Sequence, residues 1–528
     1  MQRTGSPGSP GGPRYSIFLR IEFVKKDANH RAETAGSAVI ALPESESSTE
    51  HPAALPHPLI REAGIAFRVF RDQHGRGWLQ IDGATTVLDL AAPEAEVALL
   101  RRVAERRGMP RSYEVRECVE QLAAFARITT DVEPVYFRVA PVAGGVVIDV
   151  ADAANTRIQV TGDGVEVRDT SGGPLFGRTP AMRPMALPAK TGDIEKLGKY
   201  VNLPARALWL LVAWLTFCLC HACVVSVAIP ILVLLGDQGS GKSFLCRLIR
   251  MLLDPSTVPI QSFPRSERDL AVAVHAQHVT VFDNMREIKP HMADALCQVA
   301  TGGAFATRRL FTNRELESFQ LHGALVLNTL HPNLVNQPDL AQRCLPLRLR
   351  ALDGGNRRRE DELLAEFEED LPGILRALLD LGSAILRELP TVRAQRPERL
   401  IGFSHWLAGL AAAQGLEESV YEHEYSSVLH AGMRDSLEEQ PLIAAVLSLM
   451  DAAPSGEWSG TPTELLTALS SHVARRVQYS ADWPQNPISL SKRLLAAQRA
   501  LNSLGVDVQV GRRRERRIVL RRTGDDHE

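Results

Sequence analysis

Eight consecutive residues, Gly236-Asp237-Gln238-Gly239-Ser240-Gly241-Lys242-Ser243, fit the pattern G-x-x-x-x-G-K-[ST] in full. The chemistry of that spacing is phosphate binding. Glycines let the backbone wrap a polyphosphate with its N–H groups pointing inward, the Lys242 ammonium reaches the β- and γ-phosphates, and the Ser243 hydroxyl serves as a ligand for Mg²⁺. Further on, His278-Val279-Thr280-Val281-Phe282-Asp283-Asn284 is a hydrophobic strand ending in an acid, which suits a Walker B role with Asp283 holding Mg²⁺. ATP and Mg²⁺ are therefore the expected cofactors. Asn284 stands where many ATPases of this sort place a catalytic Glu, and an amide can position water but cannot take its proton. Glu287, about one turn on, is the substitute within reach, so either hydrolysis is slow or the base lies elsewhere. A third aliphatic run, Ala324 to Leu327, ends in Asn328, at a place suited to sensing the γ-phosphate. Arg343, in Asp339-Leu340-Ala341-Gln342-Arg343, is a candidate arginine finger for a neighbouring subunit, against the reading of an ordinary surface arginine.

Such a loop needs a strand before it and a helix after it, and Ile231 to Leu235 and Phe244 to Leu253 have those patterns. The strand closes a run from Ala207 to Leu235, 29 residues without a formal charge. That is longer than the roughly 20 needed to cross a bilayer. His221 and Ser226 interrupt it, Pro230 sits near its end, and it leads straight into the phosphate motif. A buried helix from Leu208 to about Cys220, then a central parallel strand from Ala228 to Leu235, is the reading adopted; a membrane-anchored ATPase rests on this run alone. Cys218, Cys220, His221 and Cys223 invite a metal reading. Their spacing spreads them around a helix and no second Cys/His pair closes a tetrahedral site, so buried packing is expected.

The compact spacing of Walker A, Walker B, an Asn sensor and an Arg between Gly236 and Arg343 resembles the superfamily 3 branch of AAA+ helicases and the primase–helicase proteins of phages and integrative elements. Leu235 to Ser243, Thr301-Gly302-Gly303-Ala304-Phe305-Ala306-Thr307-Arg308 and Asp339 to Arg343 are similar to a bacterial ATP-binding family carried on mobile elements. The resemblance is strong over 228–350 and loose over the rest of 180–528. It implies an α/β P-loop AAA+ core, a parallel sheet flanked by helices, assembled as a homo-oligomeric, hexameric ring. Asn284 and the greasy stretch Phe217 to Val227 depart from the pattern. In superfamily 3 proteins a hairpin between Walker B and the sensor carries DNA contacts. Here Ala306 to Phe319 reads as two alternating runs around Thr312-Asn313, with Arg308, Arg309 and Arg314 for phosphates and Phe311 for stacking. Glu315 and Glu317 leave open a merely solvated hairpin.

The C-terminus adds a second candidate DNA contact. Thr463 to Gln478 and Ile488 to Leu504 read as helices, followed by an arginine-rich hairpin, which resembles a winged helix. Lys492, Arg493 and Arg499 fall on its recognition helix, and Arg512, Arg513, Arg514, Arg516 and Arg517 in its wing. The chain's 60 Lys plus Arg against 62 Asp plus Glu exclude a bulk polycation, so DNA contact must come from such patches. Seven irregularly spaced Cys argue for a reducing cytoplasm, and Met1 to Arg14 lacks the apolar core of a signal peptide.

The expected organisation is a disordered tail (1–14), an N-terminal α+β domain (15–178, with a flexible 33–57), a linker (179–190), the ATPase core (191–352), a helical region (353–447) and the winged-helix-like domain (448–528). Asp149 and Asp152, a conceivable metal pair, fit a strand end and turn better. Two functions remain: a ring ATPase that moves along or unwinds DNA for a mobile element, or an ATP-dependent DNA-binding regulator or defence switch that does not translocate.

Overall fold

In the computed structural model, residues 57–169, 172–221, 228–308, 316–321, 323–331, 334–335, 337–352, 358–438, 440–480, 482–511 and 517–523 are described. The expectations for the tail, for the start of the N-terminal domain and for nearly all of 33–57 fall outside these residues. The chain then builds a small lobe in which Phe67–Arg71 and Gly77–Ile81 pair antiparallel, as their alternation suggests, with Thr86–Asp89, Leu175–Gly177 and Val135–Tyr136 completing a sheet. Helices Pro93–Arg107 and Ser112–Ile128 cover it, burying Leu99, Val103, Val115 and Leu122 in a core of their own.

Four antiparallel strands come next: β1 (Val139–Val142), β2 (Gly145–Asp149), β3 (Thr156–Thr161) and β4 (Gly164–Asp169). Their apolar face does not close on itself. Val146, Ile148, Ile158 and Val160 share one cluster with helix α1 (Ala205–Cys220) and with helix α2 (Lys242–Leu253), which comes directly after the glycine-rich loop. From Arg183 to Asp193 the segment leading to α1 is held by backbone hydrogen bonds. Arg183 donates its N–H to Pro255, Met185 to Val150, Ala189 to Pro372 and Asp193 to Gly373.

Helix α1 matches the expected buried helix. It has no polar face because it needs none: 13 of its 16 residues are buried, and the Trp214 indole N–H finds the Pro230 carbonyl at 2.8 Å. Burying each large side chain contributes about 1.5–3 kcal/mol, so the helix is held by its surroundings rather than by amphipathic patterning. Among the described residues no helix is long and apolar enough to cross a membrane. Nor do they hold any cluster of His, Cys, Asp or Glu fit for a metal; Cys218 and Cys220 are buried, and Cys223 lies outside them.

The centre is a five-stranded sheet of β5 (Ile231–Leu235), β6 (Gln261–Ser262), β7 (Val279–Met285), β10 (Ala324–Thr329) and β11 (Cys344–Arg348), in the order β6-β7-β10-β5-β11, with every pairing parallel. Helices α3 (Glu267–Val274), α4 (Pro290–Thr301) and α5 (Pro338–Ala341) lie along it. In β5, Ile231, Val233 and Leu235 face one hydrophobic cluster while Leu232 and Leu234 face the other, which is why the run is aliphatic throughout. Between α4 and β10 the chain makes the expected antiparallel ribbon, β8 (Gly303–Arg308) with β9 (Leu316–Leu321), with Phe305 opposite Phe319.

Helices α6 (Glu360–Glu388), α7 (Ile401–Ala413) and α8 (Val420–Glu438) form the helical region, and α6 and α7 join the α1 cluster. A last unit with its own core runs α9 (Pro441–Asp451), β12 (Glu457–Gly460), α10 (Pro462–Ser471), α11 (Arg475–Gln478), α12 (Pro487–Ser503), β13 (Val506–Val510) and β14 (Ile518–Arg522). Its strands are antiparallel in the order β12-β14-β13. The molecule is thus a mixed α/β structure with a central parallel sheet and helical regions.

Candidate functional site

Parallel strands all end on one edge, so the residues just past Leu235, Phe282 and Leu327 meet there. The strand order does the rest. Because β10 lies between β5 and β7, Asn328 falls between the glycine-rich loop and Asp283. Its amide Nδ2 donates to Ser243 Oγ at 3.1 Å and also to Asp283 Oδ1, and the Ser243 hydroxyl is 3.4 Å from Asp283 Oδ2. Three residues, the outermost 85 apart in sequence, thus form one polar knot in the lining of a cleft of about 860 Å³.

The loop itself is a concave backbone. Gly241, with φ +92°, is in a conformation that residues with a Cβ rarely adopt, and a Cβ on Gly236 would press to 2.9 Å from Ser240 Oγ and 3.1 Å from the Leu349 carbonyl. Lys242 is folded back over this cradle, its ammonium donating to the carbonyls of Gly236 at 2.7 Å and Asp237 at 2.8 Å. Burial holds its pKa below the usual lysine value, with Asp237 and Asp283 opposing the shift. A cation under that cost gains when anionic oxygens replace the carbonyls. Asn328 Oδ1 is buried and, among the described residues, has no hydrogen-bond partner, so one acceptor beside the cleft is left over. Glycine cradle, lysine, hydroxyl, carboxylate and a spare buried acceptor fit a polyphosphate with a divalent cation. Ser243 and Asp283 are the residues that would hold the cation; Gly236 to Ser243 would hold the phosphates.

Asn284 lines the same cleft. It sits at a bulge where β7 loses register with β10 between Phe282 and Met285, with φ +54°. Asn tolerates the left-handed region far better than Glu does, which gives a local reason for the amide at this position. Glu287 is exposed on the next loop and is not among the described residues that line the cleft.

Arg343 lies elsewhere. Its carbonyl accepts from Ile231 N–H at the start of β5, the opposite end of the sheet from Gly236. Five strand residues separate the two ends, roughly 16 Å at 3.3 Å each. Its guanidinium pairs with Asp339 at 2.6 Å, and Arg399 pairs with the same carboxylate at 2.7 Å. Arg343 is thus remote from the glycine-rich loop of its own chain.

One wall of the cleft was not legible in the motifs. Gly198 to Asn202, upstream of α1, and Arg358, Glu360 and Leu363 at the start of α6 face the glycine-rich loop. They are tied together through Asp370 on α6, which takes hydrogen bonds from Lys196 (2.6 Å), Lys199 (3.2 Å) and the Tyr200 hydroxyl (2.9 Å). The Lys196 hydrogen bond in particular holds its carboxyl down to about 2. The residues come from both flanks of the central sheet's sequence, and only the tertiary fold joins them.

Of the candidate DNA contacts, Arg308 ends β8, though its side chain is not described, and Arg309 and Arg314 lie outside the described residues together with Phe311. Lys492 and Arg493 are exposed on α12, which also carries Arg499, a side chain not described. Arg512, Arg513, Arg514 and Arg516 lie outside the described residues; Arg517 is exposed and donates to Ser459 Oγ at 2.6 Å.

Residues 194–429 match the family model of the actinomycete integrative conjugative element replication protein, and residues 442–527 match that of the AICE RepA C-terminal domain. The chain is therefore similar to replication proteins of conjugative elements across both segments, and the resemblance to proteins of mobile elements stands. No curated protein matches the chain. Among solved structures, the A form apo structure of the NrS-1 C-terminal region shares 12% identity at a TM-score of 0.40, covering 89% of this chain and 99% of that one. A second apo structure of the region shares 13% at 0.39, with the same coverage.

Proposed function

We propose that the chain is an ATP-hydrolysing replication protein of a mobile element, with an AAA+ core of the superfamily 3 type, working as a homo-oligomeric, hexameric ring that moves along or unwinds DNA. The observation that carries this is the junction of Ser243, Asp283 and Asn328 at the end of a parallel sheet, beside the glycine cradle. Gly236 to Ser243 wrap the phosphates, and Lys242 exchanges two carbonyls for β- and γ-phosphate oxygens. Ser243 and Asp283 hold Mg²⁺, which when bound offsets the charge of the phosphates. Asn328 keeps its Oδ1 toward the γ-phosphate end, able to accept a hydrogen bond from attacking water. Arg343 serves the neighbouring site.

DNA is gripped at two places, the β8–β9 ribbon and a C-terminal unit of winged-helix type. The order helix, strand, helix, helix, helix, strand, strand supports the second. Strand displacement by the full chain with ATP and Mg²⁺, alongside its native mass, tests the proposal. ATP-dependent unwinding by a ring is the expected result. Asn284 favours a second reading, a DNA-binding switch that holds ATP and hydrolyses it slowly. Nucleotide-dependent DNA affinity with turnover far slower than DNA release, and no displacement, is its signature.

A further inference from the structure

The solvent face of α12 is not a polar face. Ile488 is 72% exposed and Leu495 48% exposed, and at helical spacing they fall on one stripe with the exposed Lys492. The opposite stripe, Leu490, Leu494 and Leu501, is fully buried in the unit's core, so Ile488 and Leu495 lie outside that core. A single exposed leucine is ordinary. Apolar and basic residues alternating along one outward face are a pattern, and α12 contains no acidic residue among its 17. The partner that suits this face carries negative charge and apolar groups a few ångströms apart, in a groove that takes a helix. The major groove of duplex DNA, about 12 Å wide, presents phosphates at its rims and the C5-methyl of thymine on its floor. A single strand offers stacking faces instead, and those call for aromatic rings, which α12 lacks.

We propose that Ile488 and Leu495 read thymine methyl groups in the major groove, making the C-terminal unit a sequence-selective duplex reader; this rests on the DNA-binding reading of that unit given above. Lys492 then positions the helix against phosphate, without reading sequence.

The test selects from a pool of short duplexes with a randomised centre, using the full chain. An enriched thymine-containing motif is expected. Replacing a contacted thymine by deoxyuridine removes only the methyl group and should weaken binding about fourfold, the worth of one buried methyl(ene) group. The Ile488→Ser and Leu495→Ser variants should each lose that sensitivity at their own thymine and enrich a flatter motif, while a thermal melt shows the unit still folded. Lys492→Ala should instead weaken binding to every sequence and lower the salt slope by about one. Selection without a motif, indifference to deoxyuridine, or equal binding of the matching single strand would each overturn the proposal. So would a change of native mass in the serine variants with their DNA selection intact, since the face would then dock protein. Failure to bind any duplex overturns the DNA reading of the unit itself, whereas the ATPase reading is judged by turnover and is untouched by this experiment.

Discussion

Arg138 and Asp254 meet at 3.0 Å with their side chains 0% and 4% exposed, joining the β1–β4 sheet to the end of helix α2. Arg138 also donates to the carbonyls of Asp149, Val150 and Arg183. Asp254 takes further hydrogen bonds from Arg250 and from the N–H groups of His278 and Val279, where β7 begins. Burial alone would raise the Asp254 pKa, but Arg250, Arg138 and His278 bring it below the ordinary value. Removing one member strands the buried charge of the others, so Asp254→Ala should cost about 3–5 kcal/mol in urea unfolding. A loss under about 1 kcal/mol would show that the network is dispensable. Because the folded pKa is depressed, the contribution is complete above about pH 4 and is lost as pH falls through the folded value.

His275, after α3, adds a second acid-sensitive group. Its ring meets Phe137 edge-on at 6.2 Å. Burial above all, with Arg76 and His74 adding to it, pushes its pKa from 6.5 down to about 3. Between those values the unfolded chain binds a proton that the folded chain refuses. Stability should therefore fall as pH drops below about 6.5, by up to about 1.4 kcal/mol per unit. His275→Phe should remove that slope from the pH dependence of the unfolding free energy. An unchanged slope contradicts the assignment to His275.

At the cleft, Lys242→Ala should abolish ATP turnover, because it removes the ammonium that sits over the cradle. Asp283→Ala should lose Mg²⁺-dependent turnover while keeping some nucleotide binding. Asn328→Ala should lower turnover by about 100-fold or more while nucleotide still binds, since it removes the group that orients Ser243 and Asp283 together with the spare acceptor. Full activity in purified Lys242→Ala protein would end the ATPase reading.

How much of this the sequence carried depends on the range of the forces involved. The glycine-rich loop, the aliphatic strands and the buried α1 were legible because motif and periodicity are local. Strand order is not local: nothing near Asn328 says that β10 inserts between β5 and β7, and yet that insertion makes the polar knot. The left-handed backbone at Asn284 is a tertiary bulge, so the residue looked like a missing base rather than a fitted turn. The wall at Gly198 to Asn202 was invisible because Lys196, Lys199 and Tyr200 find Asp370 only in three dimensions. The segment after residue 178 has the composition of a linker, but composition does not register the backbone hydrogen bonds that hold it.

Arg343 makes its own prediction from its place at the far end of β5. If it completes a neighbouring site, Arg343→Ala should bind nucleotide but not turn it over. Mixing it with Lys242→Ala should restore partial activity wherever an intact loop meets an intact Arg343. Its pairing with Asp339 adds a condition: Asp339→Asn should not abolish turnover, because the carboxylate only parks the guanidinium. Demonstrated co-assembly without rescue at any mixing ratio would remove Arg343 from the mechanism.

The β8–β9 ribbon decides between motor and switch. It leaves the sheet between α4 and β10, so it is tied at one end to the strand whose tip bonds Ser243 and Asp283. A grip on DNA at Arg308, Arg309 and Arg314 would therefore feel the state of the cleft without touching ATP. Replacing all three with Ala should leave DNA-free hydrolysis within about twofold while abolishing DNA stimulation and unwinding. Replacing Arg512, Arg513, Arg514, Arg516 and Arg517 should act differently. If those arginines contact phosphates during capture, affinity should drop and its salt dependence flatten as fewer counterions are released. Excess DNA should then rescue the C-terminal variant and not the ribbon variant, because only the first is limited by occupancy. If the wild-type chain never displaces a strand and the ribbon variant matches it in every assay, the chain is the switch.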